Sequence, residues 1–216
     1  MSSSEEAGTR TVWTGWDRRK RVGDQINTLD DASARATSAN AGARSYELLA
    51  VVARGFRPPQ YLESRDVGED IAARSDDDSA PANIPSMGEL RLTWSVVYRR
   101  IARTQAREGV APYAIYLLGV NPPPDASVED LAVFNDFYTN VHLQEVAEQR
   151  NALRAERYEL VGETRPPYQG APRFLASYEV DEDGAANRRH IGPPYSKGPE
   201  VWQRHKTPWR LWYRVL

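Results

Sequence analysis

PYAIYLLGVNPPPDASVEDLAVFNDFYTNVHLQEV, residues 112–146, changes its hydrophobic period halfway along. Residues 112–120 form an apolar run closed by prolines, which predicts a buried strand, because proline cannot continue a hydrogen-bonded ladder. Ser127 and Asp130 then have capping-box spacing, and Leu131, Phe134, Phe137 and Val141 recur at helical intervals, predicting a helix to about residue 149. Working outward, ALRAERYELVG (152–162) alternates like a strand, TRPPYQGAP (164–172) is turn chemistry, and RFLASYEVD (173–181) alternates again. PEVWQRH (199–205) reads as a short helix and WRLWYRVL (209–216) as a closing strand. The order is β, α, β, β, α, β.

That order predicts an α+β fold: a ferredoxin-like βαββαβ unit with both helices on one face of an antiparallel sheet. The other face carries apolar side chains and needs a cover, which a second copy supplies in a dimeric barrel. The run LLGVNPPPDASVEDLAVFNDFYTNVHLQEV, the RYEL and FLASYEVD strands, and GPEVWQRH before an aromatic last strand together resemble the dimeric α+β barrel superfamily, closest to its EthD-like branch. The helix segment from Tyr138 to His142, followed by Leu143 and Glu145, is the most specific element. The resemblance covers about residues 112–216. It implies a homodimer with a small-molecule pocket, since members include cofactor-independent monooxygenases, muconolactone-type isomerases, polyketide cyclases and accessory proteins. Haem, which some relatives bind, needs only one axial histidine, yet no spacing here asks for it.

Residues 1–10 hold little to bury and are expected to be disordered; residues 11–110 form an N-terminal extension of partly helical structure that could cap the barrel mouth, extend the dimer contact or complete the barrel within one chain. TVWTGWDRRKRVGD reads as an arm that docks its tryptophans on the body and leaves Arg18, Arg19, Lys20 and Arg21 in water. Residues 29–43 are expected to be a surface helix, SYELLAVVARGF fits helix or strand, and 74–87 have linker composition. Ser86 and Glu89 have capping-box spacing, and Leu90, Trp94, Val97, Tyr98 and Ile101 predict a helix over 87–108. SYELLAVVARGFRPP faintly echoes PYAIYLLGVNPPP, but the short offset leaves little room for a second full unit.

With 216 residues the chain can bury a core unaided, and a net charge of −2 gives no general attraction to nucleic acid or anionic membrane. The absence of cysteine removes disulfides, thiolate nucleophiles and cysteine-ligated metals. No apolar run reaches a membrane span, and the acidic N-terminus is unlike a secretory signal, so a cytoplasmic protein is expected. Walker, GxGxxG and GxSxG motifs are missing. The basic, tryptophan-rich stretch 187–216 suits a half-buried strand better than a nucleic-acid groove, because Arg210, Trp212 and Arg214 share one face while Trp209, Leu211, Tyr213 and Val215 share the other.

On a helix, Asn135, Tyr138 and His142 form a polar line beside the apolar stripe. Imidazole and phenol there could exchange protons with a substrate in a cavity between helix and sheet, His142 as acid or base, Tyr138 as oxyanion donor and Asn135 as orienting group. Equally, His142 could be a half-buried structural residue. Phe134, Tyr178, His190, Trp212 and Tyr213 are expected to line a substrate site. His142 and Glu145 have metal-ligand spacing but are too few for a metal site. The expectation is a cofactor-free enzyme acting by proton transfer on a hydrophobic aromatic or polyketide-like molecule, through cyclisation, isomerisation or elimination, with oxygenation a further possibility. The alternative is a non-catalytic binding or accessory protein.

Overall fold

The computed structural model describes residues 9–18, 42–51, 57–67, 90–167, 169–189 and 194–216. Eight strands make one sheet: β1 (Arg10–Arg18), β2 (Ala43–Val51), β3 (Tyr61–Val67), β4 (Leu90–Arg103), β5 (Ala114–Asn121), β6 (Arg154–Arg165), β7 (Phe174–Val180) and β8 (Lys206–Val215). All pairings are antiparallel, and the sheet closes on itself in the order β1-β3-β2-β8-β5-β7-β6-β4. Closure removes the free edges that an open sheet must otherwise protect.

The expected ferredoxin-like α+β unit, and the dimeric barrel built from two copies of it, are therefore corrected to a closed eight-stranded antiparallel barrel within one chain. The bare sheet face that seemed to need a second copy is covered by β1–β4 of the same chain. The N-terminal region is thus no appended arm, because the TVWTGWDR stretch is β1, bonded to both β3 and β4. The helix expected over 87–108 is the 14-residue strand β4. Its helical spacing misled because both faces are covered: Trp94, Val96 and Tyr98 enter the barrel while Val97 packs outside. SYELLAVV forms β2. The basic residues 19–21, the expected helix at 29–43, the 74–87 linker and the Ser86/Glu89 pair lie wholly or almost wholly outside the described residues.

Around the barrel, β4-β1-β3-β2 is followed by β8-β5-β7-β6, so the strand order of the first half is repeated in the second. The register repeats as well. Gly15 lies opposite Leu62 and Trp94, and Gly119 lies opposite Leu175 and Trp209. A Cβ on Gly15 would come 2.5 Å from Pro59, and one on Gly119 would come 2.6 Å from Pro172, so both positions require glycine for close approach. The Tyr98 hydroxyl donates to the Pro172 carbonyl at 2.8 Å, and Tyr213 donates to Pro59 at 3.0 Å. Trp94 and Trp209 stack at 4.7 Å between the halves. SYELLAVV thus corresponds to β6, not to the PYAIYLLGV strand that it superficially echoes.

The interior is apolar at one end, around Leu62, Trp94, Tyr98, Leu175, Trp209 and Tyr213. Outside the second half lies a helical layer: α1 (Val128–Phe137), a π-helical turn (Tyr138–His142), α2 (Leu143–Gln149), and the short α3 (Glu182–Ala186) and α4 (Glu200–Gln203). The capping box forms as expected, with the Ser127 hydroxyl accepting from the Asp130 N–H and the Asp130 carboxylate accepting from Ser127 N–H.

Candidate functional site

Alternation along β5, β7 and β8 turns Tyr116, Phe174, Ala176, Tyr178 and Trp212 outward, where they meet Phe134, Tyr138, Leu143 and Val146 of the helical layer and Trp202 of α4. The π turn decides which helical side chains reach this face. Leu143 N–H donates to the Tyr138 carbonyl, one residue further back than in an α-helix. The extra residue carries Tyr138 and His142 from the border of the apolar stripe into its buried centre, while Val141 is left exposed. The sequence carries no local mark of this turn.

Arg157, on β6, is 1 % exposed and lies beneath the π turn. Its guanidinium carbon is 4.3 Å from the Tyr138 ring centre and 4.5 Å from that of Phe174. It donates to Thr139 Oγ1 at 2.8 Å, to Asn135 Oδ1 at 2.5 Å and to the Asn135 carbonyl at 3.5 Å. These acceptors are all neutral, and among the described residues no carboxylate accepts from it. Burial pulls its pKa down to about 10, so it stays charged at neutral pH. Its Nε and the hydroxyls of Tyr138 and Tyr178 are buried without hydrogen-bond partners. Burial also pushes both phenols above their ordinary pKa, with Arg157 opposing the shift. A cation and two hydroxyls with spare bonding capacity thus share one dry layer.

The His142 ring is 7 % exposed and enclosed by rings of Phe137, Tyr138, Tyr195 and Trp202, with Trp202 nearest at 4.6 Å. Burial lowers its pKa to about 4 against the pull of the Glu145 carboxylate, so the imidazole is neutral at pH 7. Its Nδ1 stands 3.7 Å from Glu145 and has no hydrogen-bond partner. Glu145 also accepts from the Ser196 N–H and hydroxyl, tying α2 to the segment before α4. Among the described residues no group of three His, Asp or Glu side chains could hold a metal ion.

Of the residues singled out in the sequence, Phe134, Tyr138, His142, Tyr178 and Trp212 meet in this layer. Asn135 is half-buried, with its carbonyl oxygens engaged by Arg157. Tyr213 faces the barrel interior, on the opposite side of β8 from Trp212. His190 lies outside the described residues. Sequence reasoning missed Arg157, and it read Trp202 only as one of the tryptophans of the basic stretch 187–216. Strand alternation would have placed Arg157 beside Ala155 on the helix-facing side, but only once that side was known. No helix among the described residues is long and apolar enough to cross a membrane.

No family model matches the chain, and no curated protein matches it, so the EthD-like branch gains no support from either comparison. Among solved structures, the chain is similar to a crystal structure titled as an anthrone oxidase-like protein, with a TM-score of 0.50 and 12 % identity over 100 % of this chain and 94 % of that one. At that identity the likeness is one of fold.

Proposed function

We propose that the protein is a cofactor-independent enzyme that moves a proton on a hydrophobic, aromatic or polyketide-like small molecule, passing through an enolate-type anion held in the helix–sheet layer. Arg157 carries this reading: a buried cation with only neutral acceptors, beside hydroxyls that lack partners, suits negative charge that develops during a reaction. Neutral His142 takes the proton. Tyr138 and Tyr178 donate hydrogen bonds to the developing oxyanion, and Asn135 acts as a positioning residue through its bonds to Arg157. A planar substrate reaches them by displacing the Trp202 indole, which now fills the space against Phe134, Phe137, Tyr138 and His142.

Cyclisation, isomerisation and elimination all begin from such an anion, and a cofactor-free oxygenase would pass it to dioxygen. The name of the similar structure favours an aromatic ketone of the anthrone kind, whose methylene proton leaves to give a delocalised anion. The test is exchange of the anthrone methylene protons in deuterium oxide under nitrogen, followed by NMR. Exchange above the buffer rate is expected, with large losses in His142→Gln and Tyr138→Phe; if both variants exchange like the parent, the reading fails. The weak basicity of His142, whose pKa burial pulls down to about 4, favours a second reading, a non-catalytic binding protein. Anthrone that binds but exchanges only at the buffer rate would select it.

A further inference from the structure

The segment that carries Trp202 lies over the helix–sheet layer as a strap. Across residues 194–206 only Val201 and Trp202 are buried, and every other residue is half-buried or exposed. Gly198, at φ +69°, lets the strap press down, since a Cβ there would come 2.6 Å from Trp202 and 2.7 Å from Phe137. Past α4, Arg204 pairs with Asp125 at 2.9 Å, both side chains being exposed. Before α4 the polar tie is Glu145. Its two oxygens each accept from the Ser196 N–H at 3.2 Å, and one also accepts from the Ser196 hydroxyl.

The same carboxylate stands between the strap and His142. Glu145 Oε2 is 3.7 Å from His142 Nδ1, which is buried with no hydrogen-bond partner. Closing that gap to bonding distance takes a movement of about 0.5–1 Å. The other titratable groups that face the imidazole are Tyr138 of the π turn, Tyr195 of the strap, and His205, which stacks on Trp202 at 4.2 Å. Among these groups only Glu145 brings negative charge to the ring. Its pull is opposed by burial, and its hydrogen-bonding capacity is directed to Ser196 instead.

Building on the proton-transfer reading above, we infer that Glu145 is a positioning residue that exchanges partners: Ser196 holds it while Trp202 fills the site, and an aromatic substrate that replaces the indole lifts the strap and frees the carboxylate to accept from His142 Nδ1–H. With the proton fixed on Nδ1, the lone pair is on Nε2. Nε2 takes the proton as the substrate C–H bond breaks, and the electron pair of that bond stays on the substrate as the enolate-type anion. Glu145 then offsets the charge of the imidazolium, and Nε2 returns the proton to the product or to water. When the strap settles back, Ser196 recovers Glu145 and the imidazole is a weak base again. Site opening and arming of the base are thus one event, which reconciles a proton-accepting role with a pKa of about 4 in the closed site.

The test is an NMR titration of the imidazoles of the full chain, which has three histidines, with the His142 signal assigned by its loss in His142→Gln. Ser196→Ala removes a donor from Glu145. It is expected to raise the His142 pKa by at least one pH unit, a tenfold gain in proton affinity, and to have no such effect in a Glu145→Gln background. Trp202→Ala, which withdraws the anchor of the strap, is expected to raise that pKa by at least one unit more in the parent background than in Glu145→Gln. An unmoved pKa in Ser196→Ala, or rises of equal size with and without Glu145, would overturn the inference. These titrations need no turnover, so their failure is distinct from that of the proton-transfer reading, which falls if the parent does not exchange anthrone protons.

Discussion

The two halves of the barrel agree at the interior end closed by Trp94 and Trp209 and differ on the outer face. In the interior, the glycine, proline, tryptophan and tyrosine positions that close the barrel occur twice in the same register. On the outer face, Ser45 stands where the second half has Arg157, and exposed Arg65 stands where it has buried Tyr178. Closing the barrel constrains the inward positions at that end, whereas an outward position answers only to what packs on it. The departures from symmetry therefore point to chemistry, and those on the outer face converge on Arg157 and Tyr178.

The largest effect expected from disturbing this comparison lies inside. Glu179→Ala removes the shared partner of Arg44 and Arg154 and should cost about 3–5 kcal/mol in denaturant unfolding, whereas Asp66→Ala at the equivalent but exposed position should cost less than ~1 kcal/mol. Equal costs would mean that this pairing does not depend on burial. Next comes Arg157→Met, which removes a charge that the first half lacks at the equivalent Ser45. It should lower catalysis by about 10²–10³-fold, the loss typical of an oxyanion donor, while changing stability by less than ~1 kcal/mol or raising it, because the arginine has no buried counter-charge to strand.

His142 supplies a pH test. Its folded pKa of about 4 lies below the ordinary 6.5, so the unfolded chain takes up a proton first as pH falls. The associated stability is present above pH 6.5 and is lost between 6.5 and 4. Across that window the parent should lose on the order of 3 kcal/mol relative to His142→Gln. Parallel stability curves would show that the ring is not held neutral by burial. The smallest effect is Ser127→Ala, about 1 kcal/mol from the lost cap of the helix that carries the π turn, read from the thermal midpoint.

The sequence was most legible where signals were local. The prolines after Val120, the Ser127 cap, and the alternation in β6, β7 and β8 marked their elements because each depends on neighbouring residues. The first half resisted because β1 and β4 are covered on both faces, so Leu90, Trp94, Val97 and Tyr98 showed no strand period. The repeat was hidden because its shared residues, such as Gly15, Pro59 and Trp94, are few and far apart, and long connections separate them. At the candidate site, helical spacing found Tyr138 and His142, but the π turn that buries them is a tertiary compromise. Arg157 was invisible for a similar reason: an arginine in an alternating strand reads as solvent-facing until something covers its side of the sheet.

The most direct test of the Arg157 layer is the rate of anthrone methylene exchange under nitrogen in the parent and in Arg157→Met, with folding of both checked by circular dichroism and thermal melting. Exchange in the parent that falls to the buffer rate in a folded Arg157→Met protein is the predicted result. A folded Arg157→Met protein that exchanges as fast as the parent would contradict a site built around that cation.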